Sequence, residues 1–175
     1  MSETNGAVRR FKLVLDNDKS KVSEVVDGLL EECVKQKILI DGDDFKVRVA
    51  LEEALLNAII HGNLEVSSTL REQGDDSYEQ AISERQQSPA FRDRKVTIDC
   101  EFCSEKATFQ IQDQGKGFDV SDIPDPTDPD YLDRPCGRGL LLMRAFMDEV
   151  VYNDRGNCVT LVKKADTPND EPSGS

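Results

Sequence analysis

No stretch of this chain approaches the roughly 18 consecutive apolar residues of a membrane-crossing helix. The opening Met1 to Val8 is polar, so neither a signal peptide nor a transmembrane span is expected. Positive charge is also scarce. Twenty-two basic residues stand against thirty-five acidic ones, a net charge of −13. That balance speaks against a nucleic-acid binder, which carries a basic face, and against an anionic membrane surface. The five cysteines, an odd number, have no repeated spacing. Cys100 and Cys103 are the one close pair. They fall at the end of an alternating pattern, not where a redox pair sits at a helix start, and no second Cys/His pair completes a zinc tetrahedron. The thiols therefore read as structural, in a reduced, cytoplasmic protein. Tryptophan is absent and histidine occurs once.

What the 175 residues do contain is patterning enough for one domain with a core of its own. Phe11, Leu13 and Leu15 alternate with Lys12 and Val14, as in a strand. Val22, Val25, Val26, Leu29, Leu30 and Cys33 follow helical spacing, with an end near Lys37. A second helix is expected from about Asp44, behind the turn at Asp41–Asp44, to Ile60. Val47, Ala50, Leu51, Ala54, Leu55 and Ala58 form its core face, and Gly62 stops it. Leu64 to Arg94 is polar and long. It reads as a surface excursion or a partner-binding element, with a short exposed helix over Tyr78 to Gln87. From Lys95 the period becomes two. Val96, Ile98, Cys100 and Phe102 share a face, and after a turn Ala107, Phe109 and Ile111 form the second strand of a hairpin. Proline and aspartate break up Asp119 to Cys136. A helix is expected over Leu140 to Val150, then two closing strands, Val150 to Asn153 and Val159 to Lys163. The tail after Ala165 has a disordered composition.

Three short segments carry chemistry. In Glu53-Ala-Leu-Leu-Asn57-Ala-Ile-Ile-His61-Gly-Asn63, a carboxylate, an amide and an imidazole recur at helical spacing in an apolar helix, and buried polar groups need partners. The amide oxygen of Asn57 suits Mg²⁺, whose other ligands are commonly phosphates and water. Glu53, one turn earlier, suits a general base for phosphoryl transfer. A lone histidine at a helix end suits a backbone hydrogen bond better than catalysis, and His61 joins the candidates as a residue bordering the ligand. Asp113-Gln-Gly115-Lys-Gly117-Phe118 follows a strand. Its glycines permit close backbone approach, and Asp113 can accept from an exocyclic amine, which favours adenine. Gly137-Arg138-Gly139-Leu140 opens a helix whose N-terminus suits phosphate, with Arg138 adding a charge. Read singly, each segment has an ordinary explanation as a helix face, a turn or a helix entry. Their order and context together describe a nucleotide site. The P-loop sequence and the protein-kinase signatures are absent.

On these residues the chain resembles the histidine-kinase-like, Bergerat-fold ATPases (the GHKL superfamily), and within them the bacterial anti-sigma-factor serine/threonine kinases of partner-switching systems. The resemblance runs from about Phe11 to Lys164. Glu53 to Asn63 looks like the N box, Asp113 to Phe118 like the first glycine box, and Gly137 to Leu140 like the second. Cys136 to Asp148 is especially similar to the anti-sigma kinase version. The resemblance implies an α/β (α+β) two-layer sandwich, with a mixed, mainly antiparallel sheet covered on one face by helices. It implies ATP and Mg²⁺ as cofactors. Asn57 would hold the metal, Asp113 the adenine amine, Glu53 would be the catalytic base, and Val120 to Cys136 the ATP lid. The domain would span residues 9–164, between a flexible 1–8 and a disordered 165–175.

The implied activity is phosphorylation of a serine or threonine on a STAS-domain anti-anti-sigma protein, with a sigma factor as second partner and homodimerisation a family expectation. The chain departs from the family pattern twice. Gly156-Asn157-Cys158 stands where a Gly-Thr-Thr is common, and the 64–94 segment is longer than in compact members. A non-catalytic, ATP-binding switch that sequesters a partner is the alternative, and retention of Glu53 favours the kinase. A sensor histidine kinase would need a phospho-accepting histidine outside the N box, which this sequence does not supply.

Overall fold

The computed structural model describes residues 7–40, 44–123 and 138–166. The turn at 41–43, Cys136, Gly137, nearly all of the expected lid and the tail from 167 lie outside the described residues. Among the described residues five strands form one sheet in the order β1-β2-β3-β5-β4. These are β1 (Arg9–Leu15), β2 (Val96–Phe102), β3 (Lys106–Gln112), β4 (Glu149–Tyr152) and β5 (Cys158–Lys164). Each pairing between them is antiparallel.

Period-two patterning decides which face of the sheet is covered. Val96, Ile98, Cys100 and Phe102 are buried, as are Ala107, Phe109 and Ile111 across the hairpin. Thr97, Asp99, Glu101, Thr108 and Gln110 point the other way and are not buried, the usual outcome for an antiparallel sheet with one solvated side. Phe102 meets Phe109 edge to face at 5.7 Å and stacks with Phe11 at the same separation.

Helices cover the apolar face. Asp18 caps a short 3-10 turn by accepting the Ser20 N–H at 3.0 Å, and α1 (Val22–Lys35) follows. Val26, Leu29 and Cys33 are fully or almost fully buried. The next helix, α2 (Asp44–Leu56), buries Val47, Ala50, Leu51, Ala54 and Leu55. Its last turns widen into a π-helix, Asn57–Asn63, so the helical stretch runs through Gly62 and past the expected end at Ile60.

The 64–94 segment forms α3 (Thr69–Glu72) and α4 (Ser77–Gln87). The expected helix over Tyr78–Gln87 is present, but it is not wholly exposed: Ile82 is buried and joins the core with Leu64 and Val66. The last helix, α5 (Arg138–Phe146), packs on α2. It ends four residues before the expected Val150, because Glu149–Tyr152 instead pair with β5 from Val162 to Val159. Backbone hydrogen bonding across the sheet outweighs the helical spacing of the preceding apolar residues.

Cys33, Cys100, Cys103 and Cys158 are free thiols. Burial pushes Cys33 and Cys100 up to about 12, which leaves them protonated and inert.

Candidate functional site

The antiparallel topology puts the exit of β3 beside the entry of β5, because Gln112 pairs with Cys158. Asp113 and Asn157 are therefore neighbours. The Asp113 N–H donates to the Asn157 carbonyl at 2.9 Å, and Asn157 Nδ2 donates back to the Asp113 carbonyl at 3.2 Å. Both residues are buried. The Asp113 carboxylate accepts the Gly115 N–H at 2.8 Å. Burial drives its pKa up to about 6, against the opposing pull of that N–H, Arg155 and Arg94.

This carboxylate lies against the end of α2. A Cβ on Gly62 would sit 2.5 and 2.8 Å from its two oxygens, so only glycine fits there. Gly115 closes the same contact, since a Cβ on it would strike the Gly62 carbonyl. Gly117 has φ +78° and faces the Arg155 carbonyl, a conformation and a gap that both demand glycine. The Phe118 N–H donates to that carbonyl at 3.1 Å, and Arg155 Nη2 donates to the Gly115 carbonyl at 3.2 Å. The Phe118 ring meets Tyr152 edge to face at 5.2 Å. The first glycine segment is thus clamped on the β4–β5 turn.

Glu53, in the last turn of α2, and Asn57, the first residue of the π turns, sit four residues apart, both partly exposed. The first turn of α5 lies directly on them. A Cβ on Gly139 would collide with Glu53 Oε2 and lie 3.5 Å from Asn57 Nδ2. Burial raises the Glu53 pKa, and Arg71 acts in the opposite direction. The Asn57 amide has no hydrogen-bond partner among the described residues. The stack does not extend in α-helical register to His61, which lies in the π turns. There His61 Nδ1 pairs with the Val66 carbonyl at 2.6 Å, a backbone contact in keeping with the expectation from sequence. Underwound turns of this kind recur at functional sites.

A cleft of about 780 Å³ joins these groups, within the usual size of a small-molecule site. Glu53, Asn57, His61, Asp113, Gly117, Phe118, Arg138, Gly139 and Leu140 all line it. Gly115 supports the wall from behind, and Gly137 lies outside the described residues. Among the described residues no three His, Cys, Asp or Glu side chains converge. A cation in the cleft would therefore take most of its ligands from outside the chain, as Mg²⁺ commonly does from phosphates and water.

Sequence reasoning missed several participants. Asn63 is fully buried. Its Oδ1 accepts the Gln114 N–H at 2.6 Å, and its Nδ2 donates to Asn17 Oδ1 at 2.8 Å. Asn17 in turn donates to the Phe91 carbonyl at 2.9 Å, tying the 64–94 segment to the site. Asn157 and Arg155 brace the glycine segment, and Arg71 reaches the cleft from α3. Asn63 is the last residue of the segment that resembles the N box, which was the one available signal. Arg71 had none.

The model for the histidine kinase-like ATPase domain matches residues 15–163, nearly the whole described fold. The chain belongs to the histidine kinase-like ATPase family. Membership implies that the domain binds ATP. A protein named anti-sigma F factor from Clostridium botulinum (strain Eklund 17B / Type B) is 30% identical over 125 residues, 67% of this chain and 68% of the relative. Another of that name, from Clostridium perfringens (strain ATCC 13124), is 27% identical over 128 residues, 69% of this chain and 72% of the relative. No helix among the described residues of this ATPase domain is long and apolar enough to cross a membrane.

Proposed function

We propose that this ATPase-family protein is an anti-sigma regulator and an ATP-dependent serine/threonine kinase acting on a STAS-domain anti-anti-sigma protein. The reading takes its partner class from the relatives named anti-sigma F factor. The observation that carries the chemistry is the pairing of a desolvated carboxylate, Glu53, with an unpartnered amide, Asn57, under Gly139.

In this reading Asp113 accepts a hydrogen bond from the exocyclic amine of adenine. Asn57 would hold Mg²⁺ through its carbonyl oxygen, and the bound ion would neutralise phosphate charge. Arg138 and the first N–H groups of α5 would face the phosphates. Glu53 takes the proton from the attacking hydroxyl as its oxygen bonds to the γ-phosphorus, and ADP leaves with the bridging oxygen. A raised pKa suits that task, because a base works best near the operating pH. His61 would border the nucleotide through its place on the cleft wall. Residues 120–136 would close over it as a lid. Asp122 and Ile123, at the described end of that segment, line the cleft.

The test is incubation with γ-labelled ATP and the cognate STAS protein. Transfer of label by the wild type is expected, with loss of about 10²-fold or more in Glu53→Gln and unchanged ATP affinity. Normal transfer by Glu53→Gln would remove Glu53 from the chemistry. ATP-dependent partner binding without transfer by the wild type would leave a sequestering switch.

A further inference from the structure

We propose that the 64–94 segment is part of the nucleotide site, with Arg71 as a guanidinium contact for the terminal phosphate of the bound nucleotide. The proposal rests on the nucleotide reading of the cleft and adds a residue that reading does not contain.

Four observations lead there. Arg71 lines the same cleft as Glu53, Asn57 and Arg138. It is a charge close enough to Glu53 to oppose the effect of burial on that carboxyl, which puts it at the Glu53 end of the cleft. It makes no ion pair or side-chain hydrogen bond among the described residues. By contrast, Arg48, Arg85, Arg94 and Arg155 each have a defined partner. Finally, the chain leading into the helix that carries it is anchored at residues 63–65. Arg85 donates to the carbonyls of Leu64 and Glu65 at 2.8 and 2.6 Å, and Arg94 donates to the Asn63 carbonyl at 2.8 Å and to Glu65 Oε1 at 2.9 Å. Both guanidinium groups flank the Phe91 ring, at 5.0 and 4.9 Å from its centroid. Leu70, beside Arg71, packs against the core.

An arginine on the cleft wall with no ion pair among the described residues is available to an anion that enters the cleft. The protein as a whole, at −13, repels a polyphosphate, and local cations must offset that repulsion. A planar guanidinium can engage two phosphate oxygens at once.

The test compares affinities of the full chain for Mg-ATP, Mg-ADP and adenosine in the wild type, Arg71→Ala and Arg71→Lys. A phosphate contact predicts that Arg71→Ala weakens ATP binding by roughly tenfold or more. ADP binding should fall by a smaller factor and adenosine binding should not change, with partial recovery in Arg71→Lys. Because Arg71 is exposed, thermal unfolding of the apoprotein should match the wild type. Equal ATP affinity in wild type and Arg71→Ala would overturn the proposal, and so would equal losses for ATP and adenosine. Unchanged affinities with slower transfer to the STAS protein would overturn it too, by assigning Arg71 to the protein substrate. A wild type that binds none of the three ligands would overturn the nucleotide reading itself, a result distinct from any in which the wild type binds and the variant matches it.

Discussion

The two ends of the cleft treat their polar groups in opposite ways. Around Asp113 the side chains of Asn157, Asn63 and Asn17 are buried and largely spent within the protein, Asn157 on the Asp113 backbone and Asn63 on Gln114 and Asn17, while the exposed Arg155 reaches in to the Gly115 carbonyl. Around Glu53 the amide of Asn57 and the guanidinium of Arg71 have no partners among the described residues. A buried polar group without a partner costs about 1–3 kcal/mol, so a network that closes on itself fixes a shape. A half-exposed amide and an exposed guanidinium left open keep their hydrogen-bonding capacity for a ligand. In the proposed reading one end holds a flat base in a preformed slot, and the other is completed by charge that arrives with the nucleotide.

The largest effect that would sharpen this contrast is expected at Gly139. An added methyl collides with the Glu53 carboxylate, so Gly139→Ala should reduce phosphotransfer by roughly a hundredfold, since small misplacements of a reacting group cost that much. Adenosine binding, read by calorimetry, should survive. If adenosine binding falls as far as transfer does, the two ends are not independent.

Next in size is Asn63→Leu. It strands the Gln114 N–H and the Asn17 amide in the interior, and urea denaturation should show a loss of about 2 kcal/mol or more with an unchanged m-value. Asn57→Ala, at the open end, should change stability by less than about 0.5 kcal/mol. Comparable losses at both positions would erase the distinction.

The smallest effect concerns pH and has two opposite signs. The folded Asp113 carboxyl, at about 6, lies above its ordinary 3.8. Between those values the folded state holds the extra proton. The apoprotein is therefore favoured by this group at the acid end of that window and loses the contribution as pH rises through about 6. Ligand binding runs the other way, because the ionised carboxylate is the better acceptor for the adenine amine. Adenosine affinity should fall as pH drops below about 6, by up to tenfold per unit where binding requires the ionised form. Adenosine carries no titrating phosphate, so a flat profile from pH 5 to 7 would separate Asp113 from base recognition.

Much of this architecture is legible in the sequence because it is encoded by period. Val96 to Phe102 alternates and is a strand with one buried face. The core positions Val47 to Ala58 recur at helical spacing and are buried. Glu53 and Asn57 are recognisable because polar residues one turn apart in an apolar helix need a reason. What escapes is encoded by distance along the chain. Asn17 and Asn63 look like turn and helix-end residues until the fold brings them within 2.8 Å of each other. Arg71 sits in a polar segment with no period, and only the anchoring of Arg85 and Arg94 gives it a place. The π turns at Asn57–Asn63 have no local signature, since the underwinding is set by which carbonyl each N–H reaches, as when Leu64 N–H bonds to Ile59 at 2.9 Å. Leu140 to Val150 misleads in the reverse sense: helical spacing continues past Phe146, but a free strand edge on β5 captures Glu149 onward.

The central claim is that one cleft binds adenine at Asp113 and a metal–triphosphate at Asn57. Titration calorimetry of Mg-ATP and of adenosine into the wild type, Asn57→Ala and Asp113→Asn tests it most directly. The account predicts one site per chain, a loss confined to Mg-ATP in Asn57→Ala, and a loss for both ligands in Asp113→Asn. Mg-ATP binding that is indifferent to both substitutions would contradict it.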